Sequence, residues 1–235
     1  MLANTFLFLA SAALALASPC AKSTPVLPVN GGAKELASPP TGLTLKHIAV
    51  GFGIQNYTCA GAGSDPVATG ALAMLYDALH LYPGQSRKAL TADGWIKLTP
   101  KVLNGHKVPL NLKAAPSVGA SATKPFTKNA PLKIDGVAAM PFLGHHYFNA
   151  AGVPVFDLGS DLLIAKKLDA ISAPASADPG PDGTGAVAWL QLGDAGGSKG
   201  VSYVYRVLTA GGNSHGCTKA GDDSTSYTTM YWFFG

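Results

Sequence analysis

At 235 residues, with 28 glycines, 17 prolines and only 13% charged residues, the chain has the make-up of a turn-rich protein with little solvated helix surface. Large apolar and aromatic residues recur along it, which excludes disorder despite the modest net charge of +4. Glu35 is the single glutamate, so a glycosidase-type pair of carboxylates would have to be two aspartates.

The opening stretch from Phe6 to Ala17 is apolar and uncharged, and it ends in Ala15-Leu16-Ala17, the small-x-small pattern cut by signal peptidase. Residues 1–17 therefore read as a signal peptide, although no Lys or Arg precedes the apolar run. Removal leaves 235 − 17 = 218 residues, enough for one mature domain, and the run is too short to span a bilayer. The expected location is secreted, extracellular or cell-wall associated. Three cysteines follow the cleavage site, Cys20, Cys59 and Cys217; export permits a disulfide and the odd count leaves one thiol over. Asn56-Tyr57-Thr58 is a glycosylation sequon, which marks Asn56 as a candidate acceptor and the chain as a candidate glycoprotein.

Residues 18–42 carry Pro, Gly and Ser without periodicity and read as an irregular lead-in. From residue 43 Leu43, Leu45, His47 and Ala49 alternate with Thr44, Lys46 and Ile48, the period of a half-buried strand. Gly51 and Gly53 suggest a bulge or bend before Ile54 to Cys59 resumes it. Over residues 66–80, Ala68, Ala71, Leu72, Leu75, Tyr76 and Leu79 recur at helical spacing, and periodicity alone predicts a helix. Residues 84–133 hold nine basic residues against Asp93 alone, a net of +8, while the rest of the chain nets 8 − 12 = −4. Five prolines punctuate this segment, which predicts long loops with short strands near Trp95 to Leu98 and Val108 to Leu110. From 142 onward strand signals come regularly, at Phe142 to Asn149, Val153 to Leu158, Asp161 to Leu168, Ala186 to Leu192, Val201 to Thr209 and Ser226 to Phe234. Polar, Gly-rich turns between several of these argue for antiparallel strands: an all-β, single-domain sandwich or barrel over 43–235.

Several of these pieces resemble a family known only as domain of unknown function 3455, found in secreted fungal and bacterial proteins. They are Gly53 to Cys59, Leu75-Tyr76-Asp77, Gly144-His145-His146-Tyr147, Ala188-Trp189-Leu190, Tyr205-Arg206-Val207 with Thr209 to Gly212, Cys217, and Tyr227 with Tyr231-Trp232-Phe233, in family order. The resemblance implies an all-β domain and a strand at residues 70–77, against the helical periodicity, and we follow it there. Because Cys59 and Cys217 fall within the matching pieces and Cys20 in the lead-in, it also points to a Cys59–Cys217 disulfide. Some fungal members carry the label malate dehydrogenase, which would make the protein an oxidoreductase. The G-x-G-x-x-G turn that usually opens a nicotinamide site is missing: Gly51-Phe52-Gly53 lacks the third glycine, and no cofactor is expected.

Two stretches match G-x-S-x-G, around Ser198 and Ser214, but both read as Gly-rich turns without the strand-serine-helix context of a nucleophile elbow. Adjacent His145 and His146 in one strand point to opposite faces and cannot both bind one metal; one of them could join His47, His80, His106 or His215 through the fold, but structural or surface roles are the leading reading and no metal site is assigned. Candidate ligand-binding residues are His145, His146, Tyr147, Trp189, Arg206 and Trp232, with Lys97, Lys101, Lys107 and Lys113 at the centre of the basic segment. Arg206 lies mid-strand and needs a carboxylate, for which Asp77 is the expected partner. Sparse aromatics in the basic segment argue against nucleic acid and leave acidic or cell-wall polysaccharide, or else a membrane surface, as the expected partner. The leading reading is a secreted, non-catalytic protein that binds an extracellular or cell-wall surface, with an effector as one form of it. The rival is an extracellular enzyme, either a hydrolase using aspartates or His145/His146, or the oxidoreductase of the family label.

Overall fold

The computed structural model describes residues 22–113 and 118–235; the signal-peptide expectation for 1–17 and Cys20 lie outside them. Ten strands dominate: β1 (Leu45–Cys59), β2 (Val67–Asp77), β3 (Leu132–Ile134), β4 (Val137–Met140), β5 (Phe142–Phe148), β6 (Pro154–Asp157), β7 (Leu162–Ile171), β8 (Trp189–Asp194), β9 (Tyr203–Gly211) and β10 (Gly221–Phe234). Between β2 and β3 lie two short helices, α1 (Ala92–Ile96) and α2 (Leu98–Gly105). Eight strands close an antiparallel barrel in the order β1-β10-β9-β8-β7-β6-β5-β2, and β3-β4 form a separate hairpin. Of the two all-β architectures expected, the barrel is the one formed. No described helix is long and apolar enough to cross a membrane.

The long strand β1 explains why its pattern reads poorly as simple alternation. Its odd positions face the barrel interior, where Ala49 packs with Leu75, Phe156, Leu163, Leu192, Val204, Tyr231 and Phe233. Its even positions, Ile48, Val50, Phe52 and Ile54, face outward beneath Trp95, Leu98, Val102 and Leu103 of the helices. With both faces buried, apolar residues become continuous; full burial of each Leu or Val contributes about 1.5–3 kcal/mol. The same holds for β2, where Leu75 lies inside and Met74 and Tyr76 outside. That two-sided burial produced the helix-like spacing of residues 66–80, and the strand reading is the correct one there.

Gly51 and Gly53 do not break β1, which pairs with β10 through both. A Cβ at Gly51 would collide with the ring of Tyr231, so the glycine makes room for a large interior side chain. The strand expected near Trp95 to Leu98 is helical instead. The Thr91 hydroxyl accepts from the amide of Gly94 at 3.0 Å and caps α1, and Pro100 falls in the first turn of α2, where its missing N–H costs nothing. Nor does Val108 to Leu110 form a strand; only Leu110 bridges, to Phe126. Helix α2 docks through hydroxyls as well as apolar contact, with Thr99 donating to the carbonyl of Leu208 and Thr228 to that of Thr99, each at 2.6 Å. Leu208, with φ 49°, sits where the β9–β10 register slips between Thr228 and Met230.

Candidate functional site

The barrel interior divides into an apolar end and a polar one. Register places Gln55, Tyr57, Tyr227 and Tyr231 on the same inward face, with Arg206 of β9 directly opposite Tyr231 and Leu190 of β8 beside it. Phe156, Leu163, Leu192, Val204 and Phe233 fill the far end. At the polar end Arg206 donates from Nε and Nη2 to the carbonyl of Ala188 at 3.0 and 2.9 Å, and Tyr231 accepts a further bond from it. The expected partner Asp77 is not there: it turns away to accept from the amide of Leu79 at 2.9 Å, because its strand ends where a 3-10 turn begins.

The hydroxyls of Tyr227 and Tyr231 lie 3.0 Å apart, and Tyr57 donates to the carbonyl of Gly212 at 2.7 Å. Burial raises the pKa of all three tyrosines, and the nearby Arg206 charge partly offsets it. His146 is also inside, stacked on Phe156 at 4.0 Å with the rings 6° from parallel. Its burial pushes its pKa down to about 4, so it is neutral near pH 7. Nδ1 lies 2.9 Å from the carbonyl of Val155 and must therefore carry the proton, which makes Nε2 an acceptor.

His145 points the opposite way. It stacks on Phe126 at 4.1 Å outside the barrel, under the loop 118–127, and burial lowers its pKa too. Tyr147, on that outer face, lines an open groove of 660 Å³ with Asn56, Lys113 and Phe126. The sequon residue Asn56 accepts a hydrogen bond from Ser224 at 2.6 Å. Cys59 and Cys217 form a disulfide across 158 residues, tying the end of β1 to the connection that leads into β10.

A family model described as "Protein of unknown function (DUF3455)" matches residues 39–235, a span that contains every strand. The chain is a DUF3455 protein. No curated protein and no solved structure matches it.

Outside this DUF3455 barrel, Lys97 and Lys101 line an apolar cleft of 850 Å³ between α2 and the 174–179 loop, with Pro100, Pro174, Trp189 and Leu208. Lys97 pairs with Asp93 at 2.9 Å and Lys101 donates to the carbonyl of Asp135 at 2.6 Å. Lys107 and Lys113 are exposed at separate points. Neither tryptophan offers a free ring to a sugar: Trp232 is fully buried against Tyr82 and Trp95, and Trp189 is 2% exposed. The ten residues singled out from sequence thus fall into separate places: the interior, the outer groove, the α2 cleft, the core and, for Lys107, the exposed surface elsewhere.

The two serine motifs of the DUF3455 chain are turns. Ser198 donates to Asp194 at 2.5 Å. Ser214 and His215 both bond Asp223, at 2.6 Å to Oδ2 and 2.8 Å to Oδ1, so the carboxylate holds the hydroxyl and the imidazole apart from each other. Among the described residues no three of His, Cys, Asp or Glu converge as metal ligands. Sequence reasoning missed Gln55 altogether and the convergence of Arg206, Tyr227, Tyr231 and His146. The period of two in any strand says which residues of β1 or of β10 share a face, but only the strand pairing brings those faces together.

Proposed function

We propose that this DUF3455 protein is exported and works as a non-catalytic binding protein, attaching to acidic polysaccharide of a cell wall or similar surface through its lysine-rich segment. One observation carries this reading. The segment 84–133 leaves the barrel wall between β2 and β5, and all nine of its basic side chains are exposed. Among the described residues only Lys97 of the nine has a carboxylate within ion-pair distance. The +8 of the segment therefore stands beside a remainder of −4, and a bipolar molecule of this kind orients toward an anionic surface. The disulfide fits an oxidising compartment.

Co-sedimentation of the mature protein with insoluble polygalacturonate tests this. Binding should fall steeply between low and physiological salt, where the screening length shrinks to about 8 Å. Neutralising Lys97, Lys101, Lys107 and Lys113 together should weaken it at low salt. Full binding by that four-lysine variant sinks the proposal.

A further inference from the structure

A cation inside a barrel needs a counter-charge, and Arg206 has none of its own. It is partly buried, faces the interior, and among the described residues no carboxylate lies within 4 Å of it. What it does bond is neutral: the Ala188 carbonyl and the Tyr231 hydroxyl. Asp223, whose charge reaches the Tyr57 hydroxyl, is already committed to Ser214 and His215. Partial burial of an unpaired charge is costly, and an anion from solution offsets that cost.

The neighbours of Arg206 add hydrogen-bond donors in excess. The bond between Tyr227 and Tyr231 uses one of their two phenolic protons, whichever way it runs, and among the described residues the other proton meets no acceptor. Gln55, 7% exposed, turns a buried Nε2 toward the Tyr227 hydroxyl, which takes at most one of its two protons and leaves the other without a partner among the described residues. A group that only accepts complements such a set. The flat fork of a guanidinium matches a carboxylate in particular. Around the cluster Ala71, Ala73, Val187 and the His146–Phe156 stack supply apolar surface for a carbon skeleton.

We propose that the polar end of the barrel interior is a binding site for a small organic carboxylate, held by Arg206 and by the free donors of Tyr227, Tyr231 and Gln55. The site is separate from the lysine segment and takes a different ligand.

The test is thermal unfolding and calorimetric titration of the mature, disulfide-intact protein with acetate, succinate and benzoate, against sodium sulfate at matched ionic strength. At least one carboxylate should raise Tm saturably, by roughly 5–10 °C at a hundredfold excess over its Kd for a chain of this size. Tyr231→Phe and Gln55→Leu, which keep the shape, should each weaken binding several-fold, and Arg206→Gln should abolish it. If Arg206→Gln does not fold, the other two variants decide. The four-lysine variant should respond like the parent, so failure of the polysaccharide reading leaves this result untouched. Indifference to all three carboxylates, equal stabilisation by sulfate, or unchanged affinity in both Tyr231→Phe and Gln55→Leu overturns the proposal.

Discussion

His146 gives the most direct physical test of the barrel interior. Its ordinary pKa of 6.5 falls to about 4 in the folded chain, chiefly because burial penalises the charged ring; the carbonyl of Val155 opposes this and Arg206 reinforces it. The unfolded chain takes up the proton near pH 6.5 and the folded one only near pH 4, so between these values the unfolded state binds more protons. Stability from this group is therefore intact above pH 6.5 and is lost as pH falls toward 4. At about 1.4 kcal/mol per pH unit, the interval corresponds to about 3 kcal/mol, a sizeable part of a typical 5–15 kcal/mol total. Urea unfolding at half-unit steps from pH 7 to pH 4, on the parent and on His146→Gln, measures it. The glutamine removes the titration while leaving the lowered carboxylates Asp169, Asp194 and Asp223 as they are, and those act mainly below the window. His145 also titrates low and stays in both proteins, so it cancels in the difference. The parent should lose about 3 kcal/mol more than His146→Gln across the range. Parallel stability curves would refute the burial of an uncharged imidazole inside the barrel.

Non-reducing peptide mapping should recover Cys59 linked to Cys217, and replacing both by serine should cost about 4–5 kcal/mol in the chain-entropy picture, read as a lower urea midpoint. Gly144→Ala should destabilise by at least 1–3 kcal/mol, because its methyl would run into the backbone of Asp157; a neutral result in denaturant titration would show that β5 and β6 lie farther apart than described. Titration with NADH or NADPH, followed by tryptophan fluorescence, should be flat, since no strand–glycine turn–helix unit exists among the described residues. Saturable micromolar binding would revive the oxidoreductase reading.

The strands after residue 142 were legible because each is a short run of apolar and aromatic residues and Gly-rich turns separate several of them. β10 was read from Ser226, yet it begins at Gly221, since the polar run Asp222 to Thr225 lacks any alternation of apolar residues. α1 and α2 were missed because five and eight residues are too few to display a helical period, and the prolines around them suggested loops. The division of His145 and His146 between the two faces followed from strand geometry alone. The surroundings of Arg206 did not, because its neighbours come from β1, β8, β9 and β10, and register between distant strands leaves no local mark. The expectation of Asp77 as partner failed for that reason: sequence supplies the charges but not which wall of the barrel each one faces.

The closure of β1 against β10 has a consequence for how the chain comes to be folded. β1 pairs with β2, its neighbour in sequence, on one edge, but its other edge pairs with β10, from Leu45 against Phe234 to Cys59 against Gly221. Until those last residues have been synthesised, an edge of some fifteen residues, buried on both faces over 48–55 in the finished barrel, lacks its β10 partner. Contacts this distant in sequence form slowly, and an open apolar edge invites pairing with other copies. A ribosome-bound chain stalled before Gly221 should therefore be an aggregation-prone sheet rather than a partial barrel.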